Sequence, residues 1–308
     1  MTLGRHLQQA LESVRLCASD PLCAEHHPDF FAVLEPYAMA LLHTGRPGAE
    51  TVAAVRARFG TLTRTQSFML GTALYERGFA AEAEEQFRDV VKAQPHSGPA
   101  RAALVESLLY QRRYAEAAAE AKQVPPDDPI AATVVRSELF ALLLARDLDA
   151  TPAAIERAHL AGLAPHDISL YSAWLAQQRG DRSVAAIPAA AVPLLELMLE
   201  SLLRVQDFEN FELLAALYQQ TPLPERERRE RLAQMYLRRG FVKSAAREWL
   251  AVCEDKPDVH ALVGLTHVAL ASGQPANAQV FAAQALALDP TNRTLIELVE
   301  RTKKAAGA

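Results

Sequence analysis

Apolar positions recur along most of the chain at the three- and four-residue spacing of one helix face, in runs separated by short polar breaks. One arrangement returns as Leu70-Gly71-x-x-Leu74, Gly78, Ala83-x-x-x-Phe87, Pro95; as Leu232-Ala233-x-x-Tyr236, Gly240, Ala245-x-x-x-Trp249, Pro257; and as Leu265-x-x-x-Ala269, Gly273, Ala278-x-x-x-Ala282, Pro290. The period is about 34 residues, and each period predicts a helix, a tight turn at Gly and a second helix that ends before Pro. Such a pair cannot bury its apolar face alone, so neighbouring pairs must stack on it. Strand signals are nearly absent, and the expected class is all-α.

The pattern resembles the tetratricopeptide repeat family, in which small residues sit where two helices cross, a large residue packs between repeats and proline closes the unit. The resemblance implies a right-handed α-solenoid of about seven stacked helix-turn-helix repeats with helical caps. Four repeats are clear: Arg64 to Ser97, Gly98 to Ala131, Arg226 to Asp258 and Val259 to Asn292. Three are degenerate: Val135 to Pro165, His166 to Ala191 and Val192 to Glu225. The expected organisation is an N-terminal helical cap with a diverged repeat over 1–63 and two clear units over 64–131. Degenerate units over 132–225, two clear units over 226–292, and a capping helix and tail over 293–308 follow. Helices are expected near Leu3 to Ala18, Phe30 to His43 and Ala49 to Phe59. Pro188 falls where the second helix of the His166 unit should run, which predicts a short, kinked or missing helix there.

Half of the 308 residues are apolar and 6% aromatic, with alanine dominant, which suits closely packed helix pairs. The formal charge of −5 and pI near 6.0 argue against a nucleic-acid or anionic-membrane surface, which would need a basic stripe. The N-terminal residues lack the apolar core of a secretory signal. The stretch from Val184 to Leu195 carries Pro188 and Pro193 and is too short for a bilayer, which takes about 20 residues of helix. Three cysteines, Cys17, Cys23 and Cys253, leave one unpaired in any disulfide scheme and fit a reducing compartment, the cytoplasm. Arginine outnumbers lysine, which with the alanine bias suggests a GC-rich bacterial genome.

In the repeat family the first helix of each pair lines the concave side. The inward places carry Phe68, Thr72 and Tyr75, then Glu106 with Tyr110 adjacent, then Leu143, Trp174, Glu200, Gln234 and His267, with Arg238 and His260 nearby. These are the expected partner-binding groove: apolar and aromatic toward the N-terminal and middle parts, mixed in charge toward the C-terminal part. The lysine- and asparagine-rich clamp with which some family members hold a partner's C-terminal carboxylate is missing.

Cys17, Cys23, His26 and His27 carry zinc-type ligands close in sequence. Adjacent histidines seldom share one metal, and loop histidines beside a part-buried cysteine are the favoured reading. His260 and His267 share one helix face. The run from Glu225 to Arg231 alternates in sign and reads as a solvated helix start. No phosphate-cradling loop, nucleophile elbow or metal-hydrolase motif occurs. The expected function is a non-enzymatic, cofactor-free cytoplasmic adaptor that holds a protein helix or extended peptide. No nucleic acid and no membrane insertion are expected. The alternatives are a self-associating homo-oligomeric scaffold, or a docking or regulatory subunit of a larger enzyme or secretion system.

Overall fold

The computed structural model describes residues 28–181, 186–255 and 257–307. The helix expected near Leu3 to Ala18 and the Cys17, Cys23, His26, His27 segment lie outside the described residues. Every regular element among the described residues is helical.

The chain divides into two compact units, one ending at Gly180 and the other beginning at Asp181. The N-terminal unit runs α1 (Pro28–His43), α2 (Gly48–Phe59), α3 (Arg64–Glu76), α4 (Ala80–Ala93), α5 (Gly98–Tyr110), α6 (Tyr114–Ala121), α7 (Ala131–Leu144), α8 (Thr151–Leu160) and α9 (Pro165–Arg179). Its first helices begin at Arg64, Gly98, Ala131 and Pro165, steps of 34, 33 and 34 residues. The C-terminal unit opens with a single 3-10 turn, Ala189–Ala191. It continues through α10 (Val192–Arg204), α11 (Phe208–Tyr218), α12 (Glu225–Arg238), α13 (Val242–Asp255), α14 (Val259–Ala271), α15 (Pro275–Leu288) and α16 (Arg293–Ala306). Within each unit, helices pack mainly on their neighbours in sequence and on the matching helix of the next pair.

Local chemistry sets the helix ends. Thr63 and Gln66 form a reciprocal capping box at the start of α3, each side chain accepting from the other's backbone N–H. Asp207, Asp258 and Asn292 accept from backbone N–H groups at the starts of α11, α14 and α16. The helices α4, α13 and α15 stop before Pro95, Pro257 and Pro290. At the crossings Ala83, Ala117, Ala245 and Ala278 have no exposed surface, because only a methyl group fits where two helix backbones approach. Phe87 packs on Gly71 within its own pair, whereas Trp249 reaches the next pair, where a Cβ on Gly264 would stand 2.3 Å from its ring.

The pairing lapses around Pro188. After α9 ends at Arg179, the described residues up to Pro188 form no helix, and proline's missing N–H and fixed φ account for the interruption there. The last helix, α16, buries Leu295, Leu298, Val299 and Thr302. Ile296 of the same helix is 44% exposed.

Candidate partner-binding cleft

Three successive first helices of the C-terminal unit, α10, α12 and α14, bring charged side chains onto one open cleft of about 330 Å³. Its lining includes Glu196 from α10, Glu230, Arg231, Gln234 and Arg238 from α12, and His260 from α14. The helical repeat places Glu227, Arg231, Gln234 and Arg238 along one side of α12, because residues three and four apart share a face. Arg238 reaches across to Glu200 of α10, its Nε and Nη2 donating to the carboxylate at 3.3 and 3.4 Å. Arg239 meets the same carboxylate at 3.2 Å. His260 Nδ1 lies 3.2 Å from Glu230 Oε2, and its other ring nitrogen lies 3.5 Å from the Gln234 amide nitrogen. The imidazole also stands against the edge of Trp249, with ring centres 5.3 Å apart.

Beneath this layer Glu196 accepts from Tyr218 Oη at 2.8 Å and from Arg231 at 3.0 and 3.2 Å. Burial, and the bond donated to Glu196, push the Tyr218 hydroxyl far above the usual phenol range, so it acts as a fixed donor. Arg231 donates twice to Glu227 as well, and those bonds hold its guanidinium firmly charged. The Glu196–Arg231 pair was not among the expected groove contacts. Its signal was present, since the two residues stand 35 apart, about one repeat.

Gln234, Arg238 and His260 therefore line one cleft, and Glu200 adjoins it through Arg238. His267 does not join them. It is half-buried farther along α14, and burial, with Arg301 of α16 nearby, holds its imidazole below the ordinary range. The two histidines share a helix but meet different neighbours. Among the described residues no group of three or more His, Cys, Asp or Glu side chains is placed to hold a metal ion.

In the N-terminal unit Tyr75 and Tyr110 meet edge to face at 5.8 Å on the adjacent first helices α3 and α5. Phe68 is half-buried against Phe87 at 5.5 Å, and the Thr72 hydroxyl donates to the Phe68 carbonyl. Glu106 accepts from Ser137 at 2.9 Å. Leu143 and Trp174 differ from their expected place: neither has exposed surface. Leu143 belongs to α7, which is apolar nearly all round and so packs on every side. Trp174 of α9 lies against Phe140 at 6.0 Å and fills the interior.

No protein-family model and no curated protein matches the chain. Solved structures to which it is similar include a tetratricopeptide repeat protein from Parabacteroides merdae, at 12% identity and TM-score 0.41, covering 89% of this chain and 98% of that one. PilW, a widely conserved type IV pilus biogenesis factor, is similar at 16% identity and TM-score 0.34, over 78% of this chain and 100% of that one. The TPR domain of P58(IPK) is similar at 15% identity and TM-score 0.31, over 100% and 99%. The class rests on the chain's own helices, which define an all-α protein of stacked helix pairs with a period near 34 residues. Among the described residues no helix is long and apolar enough to cross a membrane.

Proposed function

We propose that the chain is a tetratricopeptide-like binding scaffold that holds a segment of a protein partner on the first-helix face of its C-terminal unit. The observation that supports this reading is the convergence of Glu196, Gln234, Arg238 and His260 from three successive helices onto one open cleft, with Glu200 beside it holding Arg238. Stacked repeats make an extended surface in this way, each pair contributing one row of side chains. Binding needs no covalent step, and the partner is a helix or an extended peptide. The odd cysteine count supports a reducing compartment for this work.

Selection of a displayed random peptide library on the full chain tests the reading. Enriched peptides should bind the parent and lose about tenfold or more in affinity on Glu200→Ala/Arg238→Ala, with the melting temperature held. Failure to enrich any peptide sensitive to those substitutions overturns it.

Self-association is a second reading, favoured by the exposed Leu197, Leu250, Val280 and Leu288, all in the C-terminal unit. Light scattering over a concentration series separates the two, since a monomer throughout removes the second.

A further inference from the structure

Hydrogen-bond donors and acceptors in the C-terminal cleft are unequally occupied. Glu196 already accepts from Tyr218 and Arg231, Glu200 from Arg238 and Arg239, and Glu230 from Arg226 at 3.0 Å while facing His260. These three carboxylates also lie deep, with side chains 16–22% exposed. The groups over them are the more exposed partners: Arg231 at 40%, Arg238 at 57% and His260 at 54%. Glu227 is 42% exposed but is held by two bonds from Arg231.

A guanidinium carries five N–H groups, and Arg238 commits two nitrogens to long contacts with one carboxylate. Donor capacity is therefore in surplus at the mouth of the cleft, while Glu196, Glu200 and Glu230 are each already engaged by internal donors. An incoming ammonium or guanidinium would have to displace an internal cation from its carboxylate. An incoming carboxylate need only engage N–H groups of Arg238 that meet no acceptor among the described residues, in the forked geometry that suits this pair.

Granted the groove reading above, we infer that the cleft selects an acidic segment, a partner helix or extended stretch carrying Asp or Glu side chains. Arg238 clasps one carboxylate, and Gln234 and His260 flank it. The selectivity lies in the layering: half-buried carboxylates hold the more exposed cations in place, and the cations face the partner. Such complementary charge sets partner choice and orientation more than total affinity.

Two fluorescent, end-blocked peptides with identical apolar residues, one carrying Glu and the other Lys at the remaining positions, serve as probes for the full chain. Anisotropy titrations should show the Glu peptide binding about tenfold or more tighter than the Lys peptide at low ionic strength. That preference should shrink as salt is added. It should fall to parity in Arg238→Gln/His260→Gln, with melting temperature unchanged, while Arg238→Lys keeps part of it. A preference for the Lys peptide, parity in the parent chain, or binding of neither peptide overturns the inference. Library selection separates the two failures. Enriched peptides that depend on the cleft but are not acidic leave the groove standing and remove the acidic partner, whereas absence of any cleft-dependent peptide removes the groove itself.

Discussion

The helices α7 and α12 hold the same place in their pairs and have the same length, 14 residues, yet one is interior and the other is surface. Nine residues of α7 are buried, against three of α12. Only Arg136 and Glu138 are charged in α7, and Glu138 is itself buried and ion-paired with Arg157. Burial pushes that carboxyl up despite the arginine, a sign of how dry its surroundings are. Place in the repeat therefore fixes where a helix runs, and composition decides whether its outward side stays wet. The same repeat places are accessible at Gln234 and Arg238 of α12 and closed at Leu143 of α7.

The sharpest way to break this contrast is to truncate the interior side. Leu143→Ala should cost about 2–5 kcal/mol in denaturant unfolding, the range for a buried leucine. A cost near that of a surface site would return Leu143 to the groove. Next in size is Gly264→Ala, whose new methyl would meet the rigid Trp249 ring at 2.3 Å. Overpacking of this kind costs about 1–3 kcal/mol, and an unchanged melting temperature would show that the indole can move aside. On the wet helix, Arg231→Ala should cost less than about 1 kcal/mol, because its carboxylate partners sit in a solvated ion-pair cluster.

A pH series adds a test at His267. Its folded-state imidazole titrates below the ordinary value of 6.5, so in that window the unfolded chain binds more protons than the folded one. Stability from this group is complete above 6.5 and is lost as pH falls through that value toward the folded one. His267→Asn should unfold along a shallower slope than the parent over this window, and equal slopes would remove the assignment. The smallest expected effect is at Gln206, whose φ of 55° lies in the left-handed region. Gln206→Gly should gain at most about 1 kcal/mol, because relief of side-chain strain is offset by the flexibility of glycine when unfolded.

Much of the fold was readable because two letters per repeat report directly on geometry. Gly78, Gly240 and Gly273 turn at φ of 85°, 80° and 67°, and Ala83, Ala245 and Ala278, five residues on, are fully buried. In the Gly98 repeat and in two of the degenerate ones the backbone makes the same turn without the glycine: Arg112, Arg146 and Gln206 stand at 61°, 57° and 55°. The buried place that follows is held by Ala117, Thr151 and Phe211. Thr151 remains possible there because its hydroxyl donates to the Asp147 carbonyl at 2.7 Å.

Glu200, Gln234, Arg238 and His260 were picked out by the inward places that the repeat resemblance implies. Arg231 was hidden inside an alternating charge run, because pairing within one helix is visible along the chain and pairing between helices is not. Trp174 was misplaced because an aromatic side chain suits a groove and an interior equally well.

The short turns have a kinetic consequence. Helix partners such as α3 and α4 are separated only by Arg77, Gly78 and Phe79, so closing each pair orders very little chain. Contacts of such low sequence separation form fast, and any well-made pair can nucleate its neighbours. A ribosome releasing this chain would deliver folding units one hairpin at a time, and the first pairs would be assembled long before the cleft residues are synthesised.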